Sequence, residues 1–151
     1  MILDERLEFA DATSVVQVGG GTFLLGDVVD LSVARDIGTP GDISKLTVTI
    51  QVTADILTAG TVQFRVVSDS EGTLTTSKSV HVVSKAFDAA ELVLGAEVHL
   101  DLPPQATFEP YEQFLAVDYV ATAAITAGAV NAFVNRDAGN NVSYQSPSQY
   151  K

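Results

Sequence analysis

Alternating apolar and polar residues mark two strands in the first half of the chain. Residues 46–52 and residues 62–66 carry an apolar side chain at every second position. Period-two alternation places these apolar side chains on one face of a pleated strand. The connection between the two runs ends in Ala59-Gly60, and glycine supplies backbone dihedrals that tight turns require. The pattern therefore predicts an antiparallel hairpin with one apolar and one polar face.

A related unit recurs later in the chain. The sequence Thr-Ala-Gly at residues 58–60 is echoed at residues 126–128, and strand-like runs at residues 113–120 and 130–134 flank the second copy. Two related hairpins favour a body made of two sheets. Thr-Ala-Gly is also a common way to close a hairpin, so the echo alternatively reflects turn chemistry alone. Both interpretations predict β-structure.

The rest of the chain adds further short strands separated by turn signals. Strands are predicted at residues 14–18, 27–34, 79–83 and 97–102. A single helical turn is predicted at residues 87–92, where Asp88 can cap the turn and Glu91 can accept a hydrogen bond from the cap amide. Eight or more short strands with so little helix predict an all-β fold. We expect a jelly roll, or two-sheet antiparallel β-sandwich, with at most one short helical turn.

Composition limits the chain to one ordinary domain. At 151 residues it can bury a sizeable core, and 46% hydrophobic against 18% charged residues excludes wholesale disorder. We divide it into an N-terminal arm at residues 1–13, a jelly-roll domain at residues 14–139 and a C-terminal tail at residues 140–151. The absence of cysteine fits a cytosolic product or a protein that is stable without disulfides. An acidic start and the lack of a long apolar run lead us to expect neither secretion nor a membrane span.

The net charge of −11 disfavours two classes of partner. An acidic chain is repelled by phosphate backbones and by anionic lipid, so we expect no nucleic acid and no membrane partner. The charge could complement a basic protein surface. The simpler interpretation is that it keeps the protein soluble.

Candidate chemistry is confined to one strand. Glu97, His99 and Asp101 share a strand face and are residue types that bind divalent metals. Neighbouring side chains on one strand face lie about 6.5–7 Å apart and point in parallel, whereas metal ligands converge from different elements. We therefore interpret the three residues as an exposed polar face and predict no metal site. With no cysteine and no Gly-x-Ser-x-Gly motif, we also predict no catalytic residues, no cofactor and no enzyme activity.

Four blocks of sequence carry a family resemblance. They are Met1-Ile2-Leu3-Asp4 with Leu7 and Phe9-Ala10-Asp11-Ala12; Val29-Asp30-Leu31 with Arg35-Asp36-Ile37-Gly38; Leu94-Gly95-Ala96-Glu97-Val98 with Leu100 and Leu102-Pro103; and Phe114-Leu115 with Tyr119 and Ile125-Thr126-Ala127-Gly128. In this order and spacing they resemble the capsid cement, or decoration, proteins of tailed bacteriophages, specifically the small jelly-roll type of a Bordetella phage. The resemblance runs from residue 1 to about residue 137 and does not include the tail.

The resemblance implies a non-enzymatic virion protein made in the bacterial host cytoplasm. It implies binding to the outer surface of an icosahedral shell, where the protein bridges neighbouring major capsid proteins, and self-association as a homodimer or, alternatively, a trimer. By analogy, Leu3, Leu7 and Phe9 of the arm are candidate contacts with the shell or a sister subunit. Tyr144 and Tyr150 of the tail are further interface candidates. The alternative is that the three arm residues complete the domain's own core.

Two other functions are compatible with a jelly roll. A carbohydrate- or receptor-binding module of a phage tail or adhesin would stack sugars on exposed aromatic rings, and the chain has no tryptophan and four tyrosines. A cupin-like enzyme needs clustered histidines around a metal, and the chain has two histidines. Both alternatives are weaker than the cement-protein interpretation.

Overall fold

The computed structural model of the chain describes residues 8–33, 46–75, 78–103 and 110–136. Within these residues, nine strands form two antiparallel sheets, and none of them forms an α-helix. The strands are β1 (Glu8–Ser14), β2 (Gly21–Asp30), β3 (Leu46–Thr58), β4 (Thr61–Asp69), β5 (Ser79–Val83), β6 (Phe87–Asp88), β7 (Glu97–Asp101), β8 (Phe114–Ala121) and β9 (Ile125–Arg136). The predicted two-sheet antiparallel sandwich is confirmed.

The order of the strands is that of a jelly roll. The first sheet has the order β1-β9-β3-β7, and the second has the order β2-β8-β4-β5 with β6 also paired to β4. The connections β1–β2, β3–β4 and β8–β9 each cross from one sheet to the other. The chain therefore alternates between the sheets from β1 to β4 and again from β7 to β9, which is the winding of a double Greek key.

The two predicted hairpins are wrong. Strand β3 pairs with β9 and β7, and β4 pairs with β8 and β5, so Ala59-Gly60 joins strands of different sheets. Strands β8 and β9 are likewise in different sheets. Alternation fixes which face of a strand is apolar, and that face is buried equally well beside a neighbour or across a sandwich. The echoed Thr-Ala-Gly segments occupy different positions, since the second lies inside β9, where Ala127 pairs with Leu57.

The boundary between arm and domain differs from the prediction. Strand β1 begins at Glu8, which pairs with Phe133 of β9, so residues 8–13 belong to the first sheet. After β1 ends at Ser14, the segment predicted as a strand at residues 14–18 contributes only a bridge between Gln17 and Ile125. Strand β2 begins at Gly21, earlier than expected. Residues 1–7 and the tail at residues 140–151 lie outside the described residues, so their predicted roles stay predictions.

The core lies between the two sheets and is built by their inward-facing alternate residues. Its largest fully buried side chains are Phe9, Leu25, Ile50, Ile56, Phe64, Leu92, Tyr111, Leu115, Tyr119 and Ile125. The Tyr119 ring lies 5.5 Å from the Phe23 ring and 6.4 Å from the Phe64 ring, between centroids. Its hydroxyl donates to the Val15 carbonyl at 3.2 Å and accepts from Gln17 Nε2 at 3.1 Å. The β1–β2 connection is thus fastened to the core.

Among the described residues, one 3-10 turn, Ala89–Glu91, follows β6. The Asp88 backbone N–H donates to Glu91 Oε2 at 3.1 Å, which is the return bond that the sequence predicts. Lys85 Nζ also contacts the Glu91 carboxylate. The Lys85 contact and then the Asp88 amide hold the pKa of Glu91 below its ordinary value.

Candidate interaction surfaces

The predicted interface residues divide between the core and the segments outside the described residues. Phe9 is fully buried in the core between the sheets. It has no surface to offer a partner, so its assignment as an interface contact is corrected to the alternative, completion of the chain's own core. Leu3, Leu7, Tyr144 and Tyr150 lie outside the described residues.

The two described tyrosines are packed inside the protein. Tyr119 is buried as above, and burial raises its pKa above the ordinary value, with the Gln17 hydrogen bond acting in the opposite direction. Tyr111 is also buried, donates to the Pro103 carbonyl at 2.6 Å and stacks on His81 at 4.2 Å between ring centroids. Neither ring is available to stack on a sugar, which weighs against a carbohydrate site built on these residues.

Glu97, His99 and Asp101 form part of a polar ladder between β7 and β3. Each faces a polar residue across the strand pair: Gln51 lies opposite Glu97, Thr49 opposite His99 and Thr47 opposite Asp101. The side-chain distances are 3.3 Å from Gln51 Nε2 to Glu97 Oε1, 3.1 Å from Thr49 Oγ1 to His99 Nδ1, and 2.8 Å from Thr47 Oγ1 to Asp101 Oδ1.

The ladder uses its polar atoms mainly across the strands, and along β7 His99 Nε2 also lies 3.5 Å from Glu97 Oε2. Cross-strand pairs of this kind stabilise a sheet. In the part of the chain that the structure describes, no three histidine, aspartate or glutamate side chains are grouped so that they could hold a metal ion. The arrangement matches the predicted polar strand face.

A serine–histidine contact, which sequence reasoning missed, joins β4 to β5. Ser68 Oγ lies 2.7 Å from His81 Nε2, and the same oxygen accepts the Glu112 backbone N–H at 3.0 Å. Such a distance suits a nucleophile and its base. Both side chains are buried, Ser68 completely and His81 to 6% exposure, so a substrate cannot reach the hydroxyl. Through Ser68, these hydrogen bonds link β4 to β5 and to the segment before β8.

The positive charges of the described side chains are held by carboxylates. Arg65 and Lys78 both bind Asp118, which is 1% exposed on the outer face of the second sheet, and Lys85 binds Glu91. The hydrogen bonds to Asp118 raise the pKa of Arg65 further above its ordinary value, against a smaller opposing effect of burial. These cations are therefore already neutralised by carboxylates. They do not offset the negative charge of the other acidic side chains on the surface.

One end of the sandwich is apolar, and we call it the loop-end surface. It consists of Val16, Val18, Leu57, Val93 and Leu94, which are all exposed. Backbone hydrogen bonds bring their segments together: Gln17 and Ile125 exchange two bonds of 2.9 Å, and Ile56 N–H donates to the Leu92 carbonyl at 3.0 Å. Leu57 lines an open depression of about 520 Å³ together with alanines of the β3–β4 connection, the β8–β9 connection and the 3-10 turn.

The loop-end surface could have been predicted from the uncharged connections between strands, but the strand predictions did not take the charge of the connections into account. Segments that connect strands are ordinarily polar. Residues 16–20, 56–60, 92–96 and 122–127 contain no charged side chain, although the chain as a whole is strongly acidic. Aliphatic side chains in uncharged connections indicate an exposed apolar patch, because a connection cannot bury them all in the core.

Comparison with known proteins gives one family. The family model of Bbp16 matches residues 9–134, a span that runs from β1 to near the end of β9. None of the curated proteins matches the chain significantly. In the described part of the chain, helical structure is too short and too polar to cross a bilayer.

Proposed function

The chain belongs to the Bbp16 family of Bordetella phage proteins, and on that premise we propose that it is a capsid cement protein. It binds the outer surface of the icosahedral shell and bridges neighbouring copies of the major capsid protein. It stabilises the head by binding, without catalysis, and self-associates, most simply as a homodimer. The observation that carries the proposal is the family match over residues 9–134, which covers nearly all of the jelly-roll body.

The fold suits a protein that clamps a lattice. The two sheets enclose one continuous core, and the connections between strands are fastened by hydrogen bonds to the opposite sheet, as with Tyr119 and the β1–β2 connection. A rigid body loses little conformational freedom when it docks. Weak contacts on such a body become effective when many are made at once, because linked sites raise the effective concentration of one another.

Charge is consistent with a place on the outside of the shell. The packaged genome is a dense polyanion inside, and a chain with a net charge of −11 is repelled by it. On the outside the same charge keeps the free protein soluble at the concentration needed to fill a lattice.

Co-sedimentation with shells that lack the protein tests this function. We expect saturable binding with a fixed ratio to the major capsid protein, and a higher melting temperature of the decorated shell. Shells that already carry their full complement provide the matched control, since their sites are occupied and they should take up none. If wild-type protein leaves empty sites unfilled and the melting temperature unchanged, the cement function is wrong, and binding to a glycan array becomes the next test.

A further inference from the structure

The loop-end surface forms a continuous row across one end of the first sheet. Four segments lie side by side there, in the order 16–18, 125–127, 56–58 and 92–95. Their inward side chains belong to the core, namely Val15, Ile56, Leu92 and Ile125. Val16 and Leu57 each follow one of these buried residues and are exposed, while Val18, Val93 and Leu94 are exposed in segments outside the strands.

These side chains are unusually exposed for their type. Val18 projects completely into solvent, and Leu94 is 68% and Leu57 53% exposed. Single exposed aliphatic residues are common on protein surfaces, whereas a contiguous apolar patch indicates a contact with another molecule. The five exposed residues lie on segments that backbone hydrogen bonds place next to one another, so they are grouped at one end of the sheet rather than scattered.

Charge distinguishes this row from the rest of the surface. The four connecting segments contain no charged residue, in a chain with 19 acidic and 8 basic side chains. The nearest carboxylate on the neighbouring backbone, Asp55, is engaged by the Leu94 N–H at 2.6 Å. A partner that docks here desolvates few charges, and its own contact surface must be apolar and uncharged to match.

We propose that the loop-end surface is where the chain docks on the major capsid protein, at an apolar and uncharged patch of the shell. This inference rests on the proposed cement function and goes beyond it by assigning the contact residues. It replaces Phe9, which is buried, with Val18, Leu57 and Leu94 as the principal side chains of the contact.

The size of the patch favours a shell subunit over a second copy of the chain. A fully exposed Val or Leu side chain offers about 60–120 Å² of apolar surface, so five of them present at most about 600 Å². A stable pairwise interface buries about 800 Å² on each partner. A patch below that size is suited to a partner that repeats the same site many times, since repeated contacts multiply a modest affinity.

The test measures the affinity of variants for shells that lack the protein. In the double variant Val18→Ser/Leu94→Ser both changes fall on exposed side chains, so folding should be retained, and circular dichroism and thermal melting check this. We expect shell affinity to fall by about tenfold or more, because two apolar contacts are removed. Matched controls are Val33→Ser, which is 57% exposed beyond the far end of β2, and Leu24→Ser on the outer face of the second sheet. Both should bind within about twofold of wild type.

Salt provides an independent readout. Contacts between exposed charges weaken as the Debye length shrinks from about 10 Å at 0.1 M to about 3 Å at 1 M ionic strength, whereas apolar contacts do not. We expect wild-type affinity for the shell to change little over this range. A steep loss of affinity would show that charges carry the contact and would overturn the proposal.

The remaining outcomes separate the proposal from the function on which it rests. If wild-type protein binds and the double variant binds equally well, the docking surface is wrong and the cement function stands. If the double variant binds shells normally and instead loses self-association in sedimentation velocity, the occupant is a second copy and the proposal is overturned. If wild-type protein does not bind at all, the cement function itself fails.

Discussion

The Arg65 guanidinium lies directly opposite Asp118 across the β4–β8 pair and donates to both oxygens of its carboxylate. Nε reaches Oδ1 at 2.8 Å and Nη2 reaches Oδ2 at 2.7 Å, while Lys78 Nζ lies 2.6 Å from Oδ2. The carboxylate is 1% exposed, but the side chains of Arg65 and Lys78 are 20% and 27% exposed. The cations can therefore be rehydrated if the pair is broken, whereas the carboxylate cannot.

Removing both cations should cost more than removing the carboxylate. Arg65→Met/Lys78→Met leaves the buried Asp118 without a counter-charge, and we expect the free energy of unfolding in urea to fall by about 3–5 kcal/mol. Asp118→Asn leaves cations that reach water, and we expect a loss of about 1–2 kcal/mol. Lys85→Met, which breaks an exposed pair with Glu91, is the control and should change stability little. Equal losses in the first two variants would contradict this asymmetry.

Gly26 occupies a position that only glycine fits. Its φ is +65°, and a Cβ atom there would overlap the Phe9 carbonyl oxygen of the adjacent strand. Gly95 has φ +85° with open space around the Cβ position, and Gly19 has open space and no such φ.

Thermal unfolding of alanine variants at the three glycines separates the cost of a positive φ from the cost of steric overlap with a neighbouring backbone. Gly19→Ala should be neutral, and Gly95→Ala should cost about 1–2 kcal/mol for the left-handed backbone. Gly26→Ala should cost clearly more than Gly95→Ala, because β1 must also move away from β2. If Gly26→Ala is no worse than Gly95→Ala, the close approach of the two backbones is not required for folding.

Phe9 should behave as a core residue in every assay. Phe9→Ala should lower the free energy of unfolding of the isolated protein by about 3–5 kcal/mol, because it leaves a cavity between the sheets. An interface residue would instead leave folding intact and weaken association. Chemical denaturation at low protein concentration distinguishes the two, and a variant of unchanged stability would return Phe9 to the interface.

Stability should decrease in alkali through Tyr119. Its pKa is raised by burial, so the unfolded chain loses the phenolic proton before the folded chain does. The unfolded state then binds fewer protons, and the free energy of unfolding falls as pH rises above about 10, by up to about 1.4 kcal/mol per pH unit for this group. Below pH 9 the group contributes no slope.

The Tyr119→Phe variant isolates this contribution. The variant loses the hydrogen bonds with Val15 and Gln17, so its stability is lower than that of wild type at neutral pH. The informative quantity is the slope of stability against pH between about pH 10 and pH 11, which should be shallower than that of wild type. Parallel slopes would show that Tyr119 ionises equally in both states.

The positions of the strands were more predictable from the sequence than the pairing between them. Apolar alternation at Val48, Ile50, Val62 and Phe64 identified the inward faces correctly, because a pleated strand must separate its two sets of side chains. It could not indicate that β3 and β4 lie in different sheets, since an arch across a sandwich and a hairpin within one sheet bury the same residues. Pairing of β3 with β9 depends on contacts between residues more than 60 positions apart, and no local pattern encodes those contacts.

The candidate surface was less predictable than the fold. Phe9 is predicted as an arm residue because it stands among acidic residues near the start of the sequence. In the structure it belongs to β1, which pairs with β9, and its side chain is buried in the core. Val18 was assigned to a short strand, whereas it follows the single bridge at Gln17 and points outward. The sequence alone does not distinguish an aliphatic residue in a core strand from one in an exposed connection. Whether the side chain is buried depends on how the sheets assemble.

The placement of β8 and β9 has a consequence for how the protein is made. Strand β9 lies between β1 and β3, and β8 lies between β2 and β4, so a central strand of each sheet is synthesised after all the other described strands of that sheet. Before residues 114–136 have left the ribosome, β1 and β2 have no partner beside them, and the edges of β3 and β4 stay open. Neither sheet can therefore close until β8 and β9 are available, and until then the apolar strands made earlier stay accessible to chaperones.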